Sequence, residues 1–165
     1  SVSRGLGDVY KRQVHPFGNT MCVIRVTGQQ VLDALEWGAR AVPSENGGFL
    51  QVSGLTYEIH TGVASSAEKD ENGMFTRVSG EYRVKNVMVG GQPLELDKTY
   101  TLASHNYMLL GHGDGYTMFD GCEVLGEDMM VDNQVLITYI TTTLGGVVGE
   151  QYANPYGDGR IVAVE

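Results

Sequence analysis

Short apolar runs separated by glycine limit the secondary structure and the fold class that this chain can adopt. Runs such as Met21–Val26 and Thr99–Ala103 are rich in β-branched and aromatic residues, and turn-forming residues bound them. Such runs are typical of β-strands. None approaches the roughly 18 consecutive apolar residues of a membrane-spanning helix. The sequence therefore predicts a strand-rich domain and no membrane segment in this chain.

Two segments show the spacing of amphipathic helices instead. The first opens at Thr27-Gly28, and its apolar positions are Val31, Leu32, Leu35 and Ala39. The second covers residues 132–144, and its apolar positions are Val135, Leu136, Tyr139 and Ile140. Asp132 is the expected N-cap of the second helix, and Gly145-Gly146 is its expected end.

The other predicted strands do not alternate strictly with these helices. Two short strands are expected on either side of Ser53-Gly54, over residues 49–52 and 55–59. Further strands are expected over residues 82–89, 99–103 and 160–164, whereas residues 61–80 are expected to form a mobile loop or hairpin tip. Many strands with two main helices predict the α+β class, here with a mixed β-sheet.

Composition narrows the class of protein. A chain of 165 residues that is 42% hydrophobic suits one globular domain. A formal charge of −9 argues against a nucleic-acid polymer as partner. The cysteines, Cys22 and Cys122, are expected to be free, although spacing alone leaves a disulfide open.

The first thirteen residues have a separate explanation. Ser3–Gln13 resembles the translation of a transposase mosaic-end adapter used in sequencing libraries, and it has no apolar period. We therefore expect residues 1–13 to be an adapter-derived tail, the native domain to occupy residues 14–165, and the natural gene to extend upstream. A natural basic N-terminal arm is the alternative.

Histidine spacing offers no metal site. The four histidines are His15, His60, His105 and His112, and none falls in a metal-binding HxxxH or HExxH frame. Two of them, His105 and His112, flank a glycine-rich loop, where a site is conceivable. Exposed loop histidines are the favoured interpretation, and no metal ligand is predicted in this chain.

The loop Gly111–Gly115 suits a sugar better than a phosphate. It lacks the Lys-Ser/Thr of a P-loop, and the carboxylate of Asp114 would repel a phosphate group. A carboxylate accepts hydrogen bonds from hydroxyl groups strongly, as in a sugar complex. No GxSxG motif is present either, so no catalytic residue is predicted.

Two aromatic residues stand beside glycine-rich turns. Phe17 lies in Pro16-Phe17-Gly18-Asn19, and Tyr107 precedes the loop Gly111–Gly115. Two such rings could hold a flat base between them, because any base has a π-face that stacks. The alternative is that either ring fills the core.

Together these motifs resemble the 5′-nucleotidase C-terminal domain family. The resemblance runs in order through nearly all of residues 14–164. The matching stretches are Pro16–Thr20, Val26–Gly28 before Leu35-Glu36, Gly48–Leu55, Gly91–Leu94, Tyr100–Ala103, Gly113–Tyr116 and Gly159–Ile161.

The resemblance implies that Phe17, Tyr107 and Asp114 bind the substrate, with the base between the two rings and Asp114 on the ribose. It also implies that a separate N-terminal metallophosphatase domain, joined by a hinge, holds two divalent metal ions. The family's Asn-x-Gly-x-x-Arg motif would precede Val14. The segment from Tyr107 to Asp114 is one residue longer than the family pattern.

The function expected from this resemblance is nucleotide catabolism by a secreted, periplasmic or cell-surface hydrolase. This chain would be its nucleotide-recognising domain, inactive when isolated. A non-catalytic nucleotide- or nucleoside-binding or surface-interaction module is the alternative, since a fold does not fix a function. The residues do not distinguish among mononucleotides, UDP-sugars, cyclic nucleotides and NAD as substrates.

Overall fold

A computed structural model describes residues 15–154 and 156–165 of the chain. The interpretation of residues 1–13 as an adapter-derived tail lies outside the described residues.

The first sheet is built around strand β1, Met21–Thr27. β1 pairs antiparallel with β7, Thr99–His105, on one side and with β8, Glu123–Gly126, on the other. Alternate residues of β1 are buried, namely Cys22, Ile24 and Val26. β1 therefore presents one face to the core, as the period of two along a strand requires.

Helix α1, Gly28–Ala39, follows β1 directly. Thr27 is its N-cap, and a reciprocal capping box joins Thr27 to Gln30. Of its predicted apolar positions, Val31, Leu35 and Ala39 are buried and Leu32 is partly buried, and α1 packs against β1 and the strands Phe75–Val78 and Val84–Val89. The helix thus occupies the centre of the domain.

The second sheet has the strand order β6-β5-β2-β9. Its members are β2, Leu55–His60; β5, Val84–Val89; β6, Gln92–Pro93; and β9, Ile161–Val164. β2 pairs parallel with β9 and antiparallel with β5, so this sheet is mixed. With the two main helices, it confirms the predicted α+β class.

A separate hairpin joins β3, Ala67–Lys69, to β4, Phe75–Val78. It accounts for much of the segment predicted as a loop or hairpin tip. Asp70 shapes its turn, because its Oδ1 accepts hydrogen bonds from the backbone N–H groups of Asn72 and Met74.

The remaining helical elements are short. Helix α2, Asn106–Leu109, directly follows β7, and 3₁₀ turns cover Gly113–Gly115, Thr117–Phe119 and Glu150–Tyr152. Helix α3, Asp132–Thr138, continues as a π-helical segment over Tyr139–Thr143.

The predicted N-cap of α3 is wrong. Val131 is the cap residue and Asp132 is the first helical residue. The Asp132 carboxylate accepts the N–H of the next residue, Asn133, at 2.7 Å, and its other oxygen lies 3.7 Å from Nδ1 of His15. Its oxygens therefore do not cap the N–H groups further along the helix.

The predicted strand over residues 49–52 is also wrong. The segment begins in a turn, in which the Phe49 N–H donates to the carbonyl of Asn46, and it pairs with no described strand. Instead Phe49, Leu50 and Val52 pack individually against the core. An apolar run becomes a strand only where a partner supplies its backbone hydrogen bonds.

Candidate functional site

Tyr107 is held where β7 passes into α2. The preceding His105 is the N-cap of α2, and its Nδ1 accepts the N–H of Met108 at 3.3 Å. The His105 and Tyr107 rings stack, with centroids 5.9 Å apart and an interplanar angle of 25°. Tyr107 remains 48% exposed. The local backbone thus presents the ring at the surface.

The glycine-rich loop after α2 lies directly against this ring. A Cβ added to Gly113 would come within 2.2 Å of a Tyr107 ring carbon. Only a residue without a side chain allows this approach between loop and ring. Gly113 therefore fixes the place of Tyr107 as much as His105 does.

Asp114 adopts the left-handed conformation in this loop, with φ 54° and ψ 18°. Its backbone carbonyl accepts a hydrogen bond from Nε1 of Trp37 at 2.9 Å. Its side chain lies against Gly48, where an added Cβ would come within 2.9 Å of the Asp114 Cβ. The residue is exposed, so its carboxylate is accessible to a ligand.

Phe17 is 86% exposed and lies in the turn before β1. Two hydrogen bonds connect this turn to the start of α2. The Thr20 N–H donates to Oδ1 of Asn106 at 3.1 Å, and the Asn106 N–H donates to the Thr20 carbonyl at 2.8 Å. The segments that carry Phe17 and Tyr107 are thereby joined, and neither ring fills the core.

We call Phe17, Tyr107 and Asp114 the nucleoside clamp. The structure brings Tyr107 and Asp114 onto one loop system and ties the Phe17 segment to it at Asn106. The binding role of these three residues stays a prediction. Sequence reasoning assigned no role to Trp37 or Gly48, which both lie against Asp114 in the described structure.

An apolar cleft of about 480 Å³ lies beside the clamp. It lies between β7 and α3, and its lining includes Ala103, His105, Val135, Leu136 and Tyr139. Three of these are apolar residues of the predicted second helix, and no residue of α3 is buried. The helical spacing of these residues correctly predicted that they share one apolar face. That face lines the cleft and is not buried in the core.

His105 is the residue beside Tyr107 whose protonation is changed by burial. Partial burial lowers the pKa of His105, and the carboxylates of Asp132 and Asp114 oppose this effect. His112 lies in the same loop as Asp114, and its Nε2 is 2.5 Å from Oδ1 of Asp120. The neutral ring of His105 is thus the favoured form, which its acceptor role at Met108 requires.

Metal binding has no candidate ligand set in the described ranges, 15–154 and 156–165. They contain no group of three or more His, Cys, Asp or Glu side chains that could hold a metal ion. Cys22 and Cys122 are both free cysteines. No helix among the described residues is long and apolar enough to cross a membrane.

Comparisons with known proteins agree with the family resemblance. Residues 5–121 match the family described as 5′-nucleotidase, C-terminal domain. The match begins at residue 5, inside the segment interpreted as adapter-derived.

Two curated relatives are longer proteins. The trifunctional nucleotide phosphoesterase protein YfkN of Bacillus subtilis is 32% identical over 159 residues, which are 96% of this chain and 10% of that protein. A cell wall protein of Listeria monocytogenes is 30% identical over 128 residues, 77% of this chain and 14% of that protein. The chain thus spans about a tenth to a seventh of these relatives.

A solved structure shares the fold. The 5′-nucleotidase precursor of Thermus thermophilus superposes with a TM-score of 0.72 at 28% identity. The superposition covers 93% of this chain and 27% of that protein.

Proposed function

Because the chain belongs to the 5′-nucleotidase C-terminal domain family, we propose that it recognises the nucleoside part of a nucleotide for a phosphohydrolase of which it is one domain. The observation that carries this proposal is the nucleoside clamp. Two exposed aromatic rings are carried by hydrogen-bonded segments, and an exposed carboxylate lies in the loop beneath one of them.

The division of labour follows from the chemistry of the residues. The rings stack on a base, and the Asp114 carboxylate accepts hydrogen bonds from ribose hydroxyls. The described residues offer no ligand set for metal ions. In this proposal a separate N-terminal domain would hold the two divalent metal ions that activate water and stabilise the leaving oxygen, as the family resemblance implies. This chain contributes by positioning, since orienting a substrate lowers the barrier to its reaction.

The whole protein would act on nucleotides outside the cytoplasm. The Thermus relative is a 5′-nucleotidase precursor, and the Listeria relative is a cell wall protein. A periplasmic, extracellular or cell-surface hydrolase of nucleotide catabolism is the parent that fits both. A non-catalytic surface module is the alternative, and the domain that precedes this one in the intact gene distinguishes the two.

Binding of adenosine to the 165-residue chain tests the clamp. NMR titration should show weak binding, about millimolar, because two stacking contacts of about 1–3 kcal/mol each must offset several kcal/mol of association cost. Adenosine and AMP should bind about equally. Phe17→Ala and Tyr107→Ala should each abolish detectable binding and leave the chain folded.

Tyr156→Ala is the matched control, because Tyr156 is a 94% exposed aromatic outside the clamp. It should leave adenosine binding unchanged. Unaltered binding in the Phe17 and Tyr107 variants would contradict the proposed function.

A further inference from the structure

Trp37 is bonded to the clamp from within the core, and we infer that it is a positioning residue for Asp114. By holding the backbone of Asp114, it directs the carboxylate to the ribose hydroxyls and sets the preference for ribose over a deoxygenated sugar. This inference rests on the proposed function, because it requires that Asp114 binds ribose.

The indole of Trp37 is immobilised on α1. The residue is 1% exposed. Its ring meets the Phe75 ring edge to face, with centroids 5.7 Å apart, and the Arg40 guanidinium lies 3.7 Å from the ring centre. Arg40 also donates to the Trp37 carbonyl at 2.6 Å. A side chain packed on these sides provides a fixed donor.

The indole N–H of Trp37 donates to the backbone of Asp114, whose left-handed conformation must be held by other parts of the structure. Nε1 of Trp37 donates to the Asp114 carbonyl at 2.9 Å, across 77 residues of sequence. A non-glycine residue in the left-handed region is sterically strained, so tertiary contacts must maintain it. The bond from Trp37 is such a contact, and it fixes the peptide from which the Asp114 side chain projects.

Two glycines complete the arrangement. A Cβ on Gly115 would come within 2.9 Å of Cζ2 of Trp37, so this glycine lets the loop reach the indole. Gly48 gives the Asp114 side chain its place, and the Gly48 carbonyl accepts a hydrogen bond from the Tyr116 hydroxyl at 2.5 Å. Asp114 is therefore held at its backbone by Trp37 and bordered at its side chain by a fixed peptide.

Trp37→Phe removes the donor and retains an aromatic ring in the core. The Asp114 peptide, no longer hydrogen-bonded to the indole, should then adopt other conformations. Its carboxylate should no longer be oriented toward the ribose hydroxyls. A hydrogen bond to a charged group contributes about 1.5–3 kcal/mol. Its loss should weaken the binding of AMP by about tenfold or more. Binding of 2′,3′-dideoxy-AMP should not change, because that sugar lacks both hydroxyls.

NMR titration of the 165-residue chain with AMP and 2′,3′-dideoxy-AMP measures this preference. The unmodified chain should favour AMP, and Trp37→Phe should bind both nucleotides at the weaker level. Asp114→Asn should also lose much of the preference, because the charge is gone although asparagine tolerates the same backbone conformation. A Trp37→Phe chain that prefers AMP as strongly as the unmodified chain would overturn the inference and leave the proposed function intact. An unmodified chain that binds neither nucleotide would instead overturn the proposed function.

A second measurement covers the case in which Trp37→Phe does not fold. The chain contains 1 tryptophan, so its indole N–H gives a single assignable NMR signal. This signal should shift more on saturation with AMP than with 2′,3′-dideoxy-AMP. Equal shifts with the two nucleotides would contradict a link between Trp37 and ribose recognition.

Discussion

At the scale of single residues, Glu36 is the clearest case of a charge placed in the core. Oε2 of Glu36 accepts the Val84 N–H at 2.9 Å, whereas Oε1 has no hydrogen-bond partner among the described residues. Desolvation raises the pKa of Glu36, and hydrogen bonds from the backbone of Val84 and Arg83, followed by the charge of the Arg83 guanidinium, oppose the shift only in part. At this position a hydrogen-bond acceptor for the Val84 N–H should therefore contribute more to stability than a negative charge does.

Glu36→Gln should remove a pH dependence of stability. Between the usual glutamate pKa of about 4.3 and the raised value in the folded state, the folded chain binds more protons than the unfolded chain. The free energy of unfolding must therefore fall as pH rises through this window. Glutamine keeps the acceptor for Val84 and does not titrate, so its chain should match or exceed the original stability at neutral pH.

Denaturant unfolding of both forms at several pH values checks this expectation. Glu36→Ala is the companion variant, and it should lose about 1–3 kcal/mol because the Val84 N–H is left unsatisfied. A glutamine variant that is no more stable than the alanine variant would show that the charge itself is required.

At the scale of elements, α2 depends on the protonation of its cap. Nδ1 of His105 can accept the Met108 N–H only while that nitrogen is unprotonated. Burial lowers the pKa of His105 in the folded state, so below the ordinary histidine pKa of about 6.5 the unfolded chain binds more protons. Stability should accordingly decrease as pH falls from about 6.5 through the lowered pKa of the folded state.

His105→Asn is the variant that isolates this effect. Asparagine is a good N-cap and does not titrate near neutral pH. Its chain should keep the stability of α2 near neutral pH and show less loss on acidification, measured by thermal unfolding between pH 7 and 5. The other groups near His105, which are Asp114, Asp132 and His15, remain in both chains as the internal control. Identical pH profiles for the two chains would exclude His105 as the titrating group.

At the scale of the whole molecule, recognition and chemistry are expected to lie in different domains. Residues 15–154 and 156–165 contain no group of three or more His, Cys, Asp or Glu side chains that could hold a metal ion, and the chain spans 10% of the Bacillus relative and 14% of the Listeria relative. The isolated chain should therefore release no phosphate from AMP, with or without added Mg²⁺, Mn²⁺ or Zn²⁺. Phe17→Ala and Tyr107→Ala, prepared identically, report any contaminating phosphatase, because neither variant should bind the nucleotide. Metal-dependent release by the unaltered chain, lost in the clamp variants Phe17→Ala and Tyr107→Ala, would overturn this separation.

Whether residues 1–13 contribute to the stability of the whole domain can also be tested. Deleting residues 1–13 should leave the melting temperature within error if this segment is the adapter-derived tail that its sequence resembles, because such a tail would not have been selected to pack against the domain. Deleting Arg160–Glu165 is the contrasting truncation, since it removes β9 from its parallel pairing with β2. The latter change should lower the melting temperature clearly. A comparable drop after removing residues 1–13 would show that they belong to the fold.

Local sequence determined the elements whose causes lie within a few residues. Thr27 and Gln30 cap α1, and the apolar spacing from Val31 to Ala39 places its buried face. A helix of this kind is specified by neighbours three and four positions apart, so the pattern can be read directly. The aromatic and glycine motifs likewise identified the family.

Features that depend on partners far away in the sequence can be seen only in the tertiary structure. Residues 49–52 are apolar yet form no strand, because no described strand offers them backbone hydrogen bonds. The bond from Trp37 to Asp114 spans 77 positions, and no local pattern in either segment indicates it. Strand pairing and long-range hydrogen bonds form only when the folded chain brings separate segments together, which is why the sequence could suggest the clamp residues as a prediction but gave no sign of the hydrogen bond from Trp37 to Asp114.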